Sequence, residues 1–216
     1  MRFVEDISRF YGTGERNKAG QTLEEYLDGY DPRQFDLPSN TTDIIVVRCE
    51  EELKSWEQQM EVLLIKRGNH PGIGFWATPG GFVEMRENMD EGAARELEEE
   101  TGIQGLPLVQ MATWGDYDRD PRWRVITTSY LALVEGDLAV QAGDDAADAL
   151  WFNVNLKQES NDTESRIEVW NLSLSNEERK IQVGAKIEII HSGHKLLDKK
   201  QYRIVENNRL AADHGC

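Results

Sequence analysis

The sequence contains few cysteines, no long apolar stretch and comparatively few basic residues. Its cysteines, Cys49 and Cys216, provide neither a disulfide framework nor the spacing of a zinc site, which favours a reducing compartment. No stretch approaches the roughly 18 consecutive apolar residues of a membrane-spanning helix. Residues 1–9 lack the basic and apolar regions of a signal peptide. We therefore expect a soluble, cytoplasmic protein.

The shortage of basic residues makes the chain strongly acidic. The 216 residues include 40 Asp and Glu but only 24 Lys and Arg, which gives a formal net charge of −16. An acidic surface repels phosphate backbones and anionic lipids, so we expect neither nucleic acid nor a membrane as a partner. A small phosphorylated ligand would need bound cations or a few locally placed Arg and Lys side chains.

Hydrophobic periodicity divides the chain into strands and two helices. A short helix is predicted at residues 22–27 with Thr22 as its N-cap, and a longer one at residues 90–101 with Gly102 as its C-cap. Apolar runs predict strands at residues 43–49, 62–65, 108–114, 125–134 and 149–154. The first two strands suggest an antiparallel pair. Strands around one well-formed helix favour an α+β fold.

Composition divides the chain into three parts. Residues 1–40 are polar and interrupted by prolines, which indicates an arm that packs on a domain. Residues 41–154 contain the predicted core strands and the longer helix. Residues 155–216 alternate in a β manner and carry no recognisable site, so we expect a strand-rich extension there. The arm and the extension are both suited to forming a homodimer.

Three glutamates give the longer helix an acidic face. Glu96, Glu99 and Glu100 stand at positions i, i+3 and i+4, where like charges repel by a few tenths of a kcal/mol per pair. A bound hard cation would relieve that repulsion, because Mg²⁺ and Mn²⁺ prefer carboxylate and carbonyl oxygens. The alternative is a solvated helix face that binds nothing.

The surrounding residues complete a much more specific pattern. Gly81, then five residues, Glu87, then seven residues and the segment RELEEETGI at residues 95–103 match every fixed position of G-x5-E-x7-R-E-U-x-E-E-x-G-U, where U is aliphatic. This segment resembles the Nudix box. The resemblance implies an α/β/α sandwich with a mixed central sheet and a loop–helix–loop that holds Mg²⁺, with Mn²⁺ as an alternative ion. It also implies hydrolysis of a nucleoside diphosphate linked to another group.

Further segments resemble the ADP-ribose pyrophosphatase-like branch of this family. They are TPGGFVE at residues 78–84, TWGDYDRDPR at residues 113–122 and AGDDAA at residues 142–147. This likeness implies that ADP-ribose is cleaved to AMP and ribose 5-phosphate. Residues 210–214 resemble the start of a terminal helix in relatives, and only two residues follow, so we expect either that this helix is absent or that the chain is cut short there.

The resemblance also assigns roles to individual residues. Those implied for the metal are Glu96, Glu99, Glu100 and the carbonyl of Gly80. A supporting role in shaping the loop and orienting the acids falls to Gly81, Glu87 and Arg95. The group that takes the proton from water is either a box glutamate, Glu96 or Glu99, or a carboxylate on a later loop. On that loop we favour Asp145, with Asp144 as the alternate and a simple turn-capping role as the competing interpretation.

Candidate substrate contacts come from basic and aromatic residues. Arg119, Arg122 and Arg124 precede a predicted strand and suit a bidentate grip on phosphate, unless they pair with the neighbouring aspartates instead. Trp76 and Trp114 suit stacking on a base, with a core position as the equal alternative.

Two other functions remain open at this point. One is a Nudix hydrolase that acts on another nucleotide, such as NADH, a dinucleoside polyphosphate or an oxidised deoxynucleoside triphosphate. The other is a non-catalytic, ADP-ribose-sensing transcriptional regulator, which would need a basic recognition helix near the C-terminus. The strand-like pattern of residues 155–216 and the complete box argue against the regulator.

Overall fold

The computed structural model describes residues 3–55, 57–143, 146–194, 196–211 and 214–215. The chain divides into two compact units, Met1–Leu37 and Pro38–Cys216. The first unit contains helix α1 (Leu23–Gly29) and two short 3-10 turns at Ser8–Phe10 and Pro32–Gln34. The hydroxyl of Thr22 accepts a hydrogen bond from the N–H of Glu25, whose carboxylate accepts one from the N–H of Thr22. This reciprocal cap confirms the predicted start of the helix.

The second unit is built on one mixed sheet. Its strands are β1 (Ser39–Cys49), β2 (Glu61–Arg67), β3 (Trp76–Ala77), β4 (Val109–Trp114), β5 (Val125–Glu135), β6 (Ala146–Asp162), β7 (Ile167–Asn176), β8 (Ile181–His194) and β9 (Leu197–Asn208). The order across the described part of the sheet is β4-β5-β1-β2-β6-β7-β8-β9, with β3 paired to β2. β1 runs parallel to β5 along its whole length, and the other pairs are antiparallel. The predicted antiparallel pairing of the first two strands is confirmed.

Helix α2 (Met89–Thr101) covers one face of the sheet. It begins after Asn88, whose N–H donates to the carboxylate of Glu91 at 2.8 Å, and it ends at Gly102, whose φ of 74° is the left-handed conformation that glycine adopts readily. Ala93 and Leu97 are fully buried in a core that includes Ile44 of β1 and Tyr130 of β5. Because the apolar side of the helix faces the sheet, Glu98 and Glu99 are left exposed to solvent.

The opposite face of the sheet is covered by the C-terminal strands. Leu64 and Phe152 pack there in one core cluster with Leu174 of β7 and Val183 of β8. At the ends of the strand order, Trp114 of β4 meets Tyr202 of β9 edge-on, with 5.6 Å between ring centroids. The fold is therefore α+β with a strand-rich extension, as predicted. The resemblance implies helices on both faces, whereas the described residues place a helix on one face and strands on the other.

The C-terminal third of the chain continues the main sheet. The predicted boundary between residues 154 and 155 lies inside β6, which is 17 residues long. Near the C-terminus, Leu210 forms a bridge with Trp76 and is buried, and the described part of residues 210–215 contains a bridge and a turn. Among the described residues, no helix is both long and apolar enough to cross a membrane.

Candidate active site

Arg95 lies at the centre of the acidic helix face. Its Nε and Nη2 donate to the two carboxylate oxygens of Glu87, at 2.8 and 3.0 Å. Its Nη1 donates to Glu96 at 2.8 Å and to Glu99 at 3.0 Å, and Nη2 also donates to the carbonyl of Phe82 at 3.0 Å. These bonds lower the pKa of Glu87 and raise that of Arg95. Arg95 therefore connects the loop before α2 to two glutamates of that helix, Glu96 and Glu99.

The carboxylate of Glu96 rests directly on Gly81. A Cβ atom at residue 81 would lie only 2.4 Å from Oε2 of Glu96, so a larger residue would displace the carboxylate. The Glu96 side chain is 15% exposed, and this burial raises its pKa, an effect that Arg95 opposes. By contrast, the Glu99 side chain is 58% exposed. Glu96 and Glu99, two of the four predicted metal ligands, thus occupy different environments.

Glu100 is held by the neighbouring glycine. The N–H of Gly80 donates to Oε2 of Glu100 at 2.8 Å. Gly80 has a φ of 150°, and a Cβ atom there would lie 2.0 Å from the carbonyl oxygen of Thr42, so this position requires glycine. Within the described part of the chain, no group donates a hydrogen bond to the carbonyl of Gly80. That oxygen is available to a ligand.

A cavity of about 520 Å³ joins these groups to part of the predicted substrate site. Its lining includes Gly80, Gly81, Glu96, Glu100, Arg119 and Arg122. Glu99 and Arg124 are not part of the lining. The cavity therefore has carboxylates on one helix and guanidinium groups on the loop between β4 and β5, which suits an anionic ligand that arrives with a cation.

The three arginines of this loop have different partners. The Arg119 side chain is 9% exposed, and its Nη2 lies 3.8 Å from Oδ2 of Asp43. Arg122 forms a bidentate pair with Asp120, at 3.0 Å for Nε and 2.7 Å for Nη2. Arg124 donates to the carbonyl of Gly115 at 2.7 Å. Of the alternatives left open by the sequence, pairing with a neighbouring aspartate therefore holds for Arg122.

The two candidate tryptophans are packed against other rings. Trp76 is 2% exposed and meets Phe152 edge-on, with 4.8 Å between centroids, so it is a core residue without a free face for a base. Trp114 contacts Tyr202 and donates its indole N–H to Ser129 at 3.2 Å. It lines a smaller cavity of about 80 Å³. Stacking on a base is thus excluded for Trp76, and its core alternative holds.

The structure also places residues in the site that the sequence did not indicate. Asp43 of β1 lines both cavities and accepts a hydrogen bond from Thr127 at 2.7 Å. Arg67 lines the larger cavity, and its Nε donates to the carbonyl of Pro71 at 2.8 Å. His214 reaches both cavities and lies 2.8 Å from the hydroxyl of Thr78. Asp43 and Arg67 stand at the ends of apolar runs, a position too common to single them out, and no pattern in the sequence marks His214.

The loop that carries the candidate base begins beside the acidic helix. The N–H of Gly143 donates to the carbonyl of Glu100 at 3.0 Å, and a Cβ at Gly143 would clash with the carbonyl of Glu99. Asp144 and Asp145 lie outside the described residues. Their predicted roles therefore remain predictions.

The donor chemistry of the site fits a hard divalent cation. Glu96 and Glu100 line the cavity beside the free carbonyl of Gly80, and such oxygens are the ligands that Mg²⁺ and Mn²⁺ prefer. As described, the chain contains no group of three Asp, Glu, His or Cys side chains arranged to hold one ion. Instead, Arg95 donates hydrogen bonds to Glu96 and Glu99, and the N–H of Gly80 donates one to Glu100.

Comparison with known proteins agrees with the box and the fold. The NUDIX domain family model matches residues 40–169, more than half of the chain. The ADP-ribose pyrophosphatase of Methanocaldococcus jannaschii is 43% identical over 102 residues, covering 46% of this chain and 58% of that protein. The ADPR responsive transcriptional repressor NtrR of Acinetobacter baylyi is 34% identical over 113 residues, covering 51% of this chain and 43% of that protein. The chain thus spans about half the length of these curated relatives.

One solved structure extends the likeness to the strand-rich extension. A MutT/nudix family protein from Enterococcus faecalis superposes with a TM-score of 0.65 at 28% identity, covering 98% of this chain and 71% of that chain. The complete box, the helix with its glutamates held by Arg95, and the family match over residues 40–169 lead to one conclusion. The chain belongs to the Nudix family.

Proposed function

We propose that the protein is a divalent-metal-dependent hydrolase that cleaves the pyrophosphate bond of nucleoside diphosphate derivatives, with ADP-ribose giving AMP and ribose 5-phosphate. The observation that carries this proposal is the shared cavity of about 520 Å³, which brings the box residues Glu96 and Glu100 together with Arg119 and Arg122. A pyrophosphate needs cationic partners, and the acidic helix face alone would repel it. The proposed cofactor is Mg²⁺, with Mn²⁺ as an alternative.

In this proposal Glu96, Glu99, Glu100 and the Gly80 carbonyl hold the metal. A divalent cation held by these groups would supply positive charge opposite the negative charge that develops on the pyrophosphate. Arg95 fixes the directions of Glu96 and Glu99 through the 2.8 and 3.0 Å hydrogen bonds already described. It is a positioning residue because the lining of the cavity does not include it.

The proton of the attacking water needs an acceptor among the carboxylates. Glu99 and Glu96 are candidates on the helix, and Asp145 is the candidate on the loop that begins at Gly143. The contact between Gly143 and the end of α2 supports the loop candidate, because it ties the start of this loop to Glu99 and Glu100. Arg119 and Arg122 are the proposed substrate-binding arginines, with Trp114 at the smaller adjoining cavity.

The names of two relatives support ADP-ribose as the nucleotide. One is an ADP-ribose pyrophosphatase and the other is an ADPR responsive repressor. The second relative supports the alternative function, in which the chain binds ADP-ribose without cleaving it and regulates transcription. The intact box favours hydrolysis, and the described C-terminal residues form strands β7, β8 and β9 rather than a basic helix.

The test is a substrate panel on the wild-type chain and matched glutamine variants. ADP-ribose, NADH, a dinucleoside polyphosphate and an oxidised deoxynucleoside triphosphate are each incubated with Mg²⁺ or Mn²⁺, and released products are quantified. Glu99→Gln and Glu100→Gln are expected to lose several orders of magnitude in turnover with an unchanged melting temperature. Glu98→Gln is the control, because this residue is exposed on the same helix and hydrogen-bonds Gln104. Full activity in either of the first two variants contradicts the metal assignment.

Two further measurements separate the remaining alternatives. Asp145→Asn is expected to lower kcat while metal affinity is kept, and a wild-type kcat removes this residue as the base. Binding to duplex DNA that weakens as salt is raised, without turnover of any nucleotide, favours the regulator.

We also propose that the protein acts in the cytoplasm as a homodimer on a small-molecule nucleotide, without nucleic-acid or membrane partners. The low cysteine content supports the compartment. The N-terminal unit exposes Phe3, Phe10 and Phe35, at 58%, 48% and 64%, and these rings would be covered if the unit lies in the proposed interface. Light scattering coupled to gel filtration gives the mass directly, and a monomer at micromolar concentration removes the dimer.

A further inference from the structure

A phenylalanine and an arginine lie against each other in the wall of the larger cavity. The guanidinium carbon of Arg122 lies over the ring of Phe82, 5.2 Å from its centroid. Both residues line the cavity, and both remain about half exposed, with 45% for Phe82 and 45% for the Arg122 side chain. An exposed aromatic ring that is stacked on a guanidinium and faces a cavity has no role in the core.

Asp120 fixes the plane of this guanidinium. Its carboxylate accepts from Nε and Nη2 of Arg122 at 3.0 and 2.7 Å, and from the backbone N–H of the same residue at 2.9 Å. The edge of the guanidinium that would grip a phosphate bidentately is thereby occupied. Asp120 thus engages the edge of the guanidinium rather than its faces. Arg122 is therefore better suited to stacking than to a bidentate phosphate contact.

The backbone of Phe82 is held just as firmly next to the box. Its carbonyl accepts a hydrogen bond from Arg95, and Phe82 forms a bridge with Thr41 of β1. The preceding residue, Gly81, is the one on which the Glu96 carboxylate rests. The backbone that carries the ring is thus held next to Gly81, on which the Glu96 carboxylate rests. Phe82 also lines the same cavity as Glu96 and Glu100.

We propose that Phe82 and Arg122 form the platform on which the nucleobase of the substrate stacks, with Asp120 as the positioning residue. The inference rests on the proposed function for the identity of the ligand as a nucleotide. Nucleobases stack on aromatic rings and on guanidinium planes alike, and truncation of one stacking side chain weakens binding by about 1–3 kcal/mol per base. That range corresponds to about a 5- to 150-fold change in affinity.

The experiment compares two ligands that share a phosphate and a pentose but differ in the base. AMP and ribose 5-phosphate are titrated by calorimetry into the full chain with Mg²⁺ present. Phe82→Ala is expected to weaken AMP binding by about 5- to 150-fold and to leave ribose 5-phosphate binding unchanged. Phe82→Trp keeps a ring and is expected to retain AMP binding. Phe75→Ala is the matched control, since this ring is 39% exposed but is not among the residues that line the cavity.

The role of Asp120 is tested by the ratio of the two affinities. Asp120→Asn is expected to lower AMP affinity relative to ribose 5-phosphate, and Asp120→Glu to restore part of it. A merely structural role would lower both affinities together and leave the ratio unchanged.

Three results would overturn the proposal. They are an unchanged AMP affinity in Phe82→Ala, an equal loss for both ligands, and a wild-type chain that binds ribose 5-phosphate as tightly as AMP. Because binding is measured without turnover, a chain that stacks AMP on Phe82 but hydrolyses nothing refutes the hydrolase and leaves the platform standing.

Discussion

Gly81→Ala offers a way to separate catalysis from folding in this protein. The new Cβ would lie 2.4 Å from Oε2 of Glu96, whereas ordinary contacts begin near 3.4 Å. The carboxylate must therefore move by about 1 Å, and a misplacement of that size in catalytic machinery can cost about 100-fold in rate. We expect turnover with Mg²⁺ to fall by about that factor.

The same substitution should hardly change stability. The clashing atoms belong to the end of a flexible side chain, and Gly81 does not have a positive φ. Loss of the partly exposed Arg95–Glu96 ion pair costs about 0.2–1 kcal/mol, while replacing Gly by Ala removes unfolded-state entropy worth about 0.4–1 kcal/mol. These effects offset each other, so the midpoint of urea unfolding should stay close to that of the wild type.

Two other glycine-to-alanine variants serve as a destabilised and a neutral comparison. Gly80→Ala has to distort the backbone, because its Cβ would lie 2.0 Å from the carbonyl oxygen of Thr42 at a φ of 150°, and we expect a clear loss of stability. Gly29→Ala meets no atom within 4 Å and should be neutral for both activity and stability. Wild-type turnover in a folded Gly81→Ala protein would refute the importance of Glu96 placement. Unfolding of that variant would refute the packing argument.

Three further predictions concern Arg95, Asp120 and the hydrophobic core beneath α2. Arg95→Lys cannot reproduce the two-pronged contact with Glu87, so kcat should fall about 10- to 100-fold in a steady-state assay while the fold is kept. Hydrogen bonds from Arg122 lower the pKa of Asp120 below its ordinary value of 3.8. The ionised carboxylate therefore stabilises the folded state above pH 3.8, and this stabilisation is lost as the pH falls through the lower pKa of the folded state. The urea midpoints of the wild type and of Asp120→Asn should converge in that acidic range. Leu97→Ala empties a fully buried site beneath α2 and should lower the free energy of unfolding by about 2–5 kcal/mol, measured by the same urea method.

Local patterns predicted both α-helices and five of the nine described strands, and they predicted the region of β7, β8 and β9 only as a strand-rich extension. β5 and α2 begin and end within one residue of their predictions, because each is bounded by a polar segment or a glycine cap. The pairing order was not predictable, since it depends on which apolar faces meet in three dimensions. For the same reason the sequence could not decide between a core and a binding role for Trp76. That decision follows from its position between Phe152 and Leu210 in the second core cluster.

The site was predictable where its residues lie on one helix. The spacing of Glu96, Glu99 and Glu100 fixes a common face regardless of tertiary structure. The contributions of Asp43 and Arg67 were missed because they come from different strands and are joined only by the cavity. Likewise, both Asp118 and Asp120 precede Arg122 closely in the sequence, and only the structure shows that Asp120 is the partner.

The 17-residue strand β6 has a consequence for how the molecule opens. β6 starts three residues after Gly143, whose N–H donates to the end of α2. Its first part pairs with β2, and its second part pairs with β7. Because β6 belongs to both regions, we expect that the extension cannot unfold separately from the region that contains the site. Amide hydrogen exchange in β7 and β8 should therefore report the same opening event as exchange in β1 and β5. A nucleotide bound at the cavity would slow exchange in strands that never touch it, since binding stabilises the whole cooperative unit.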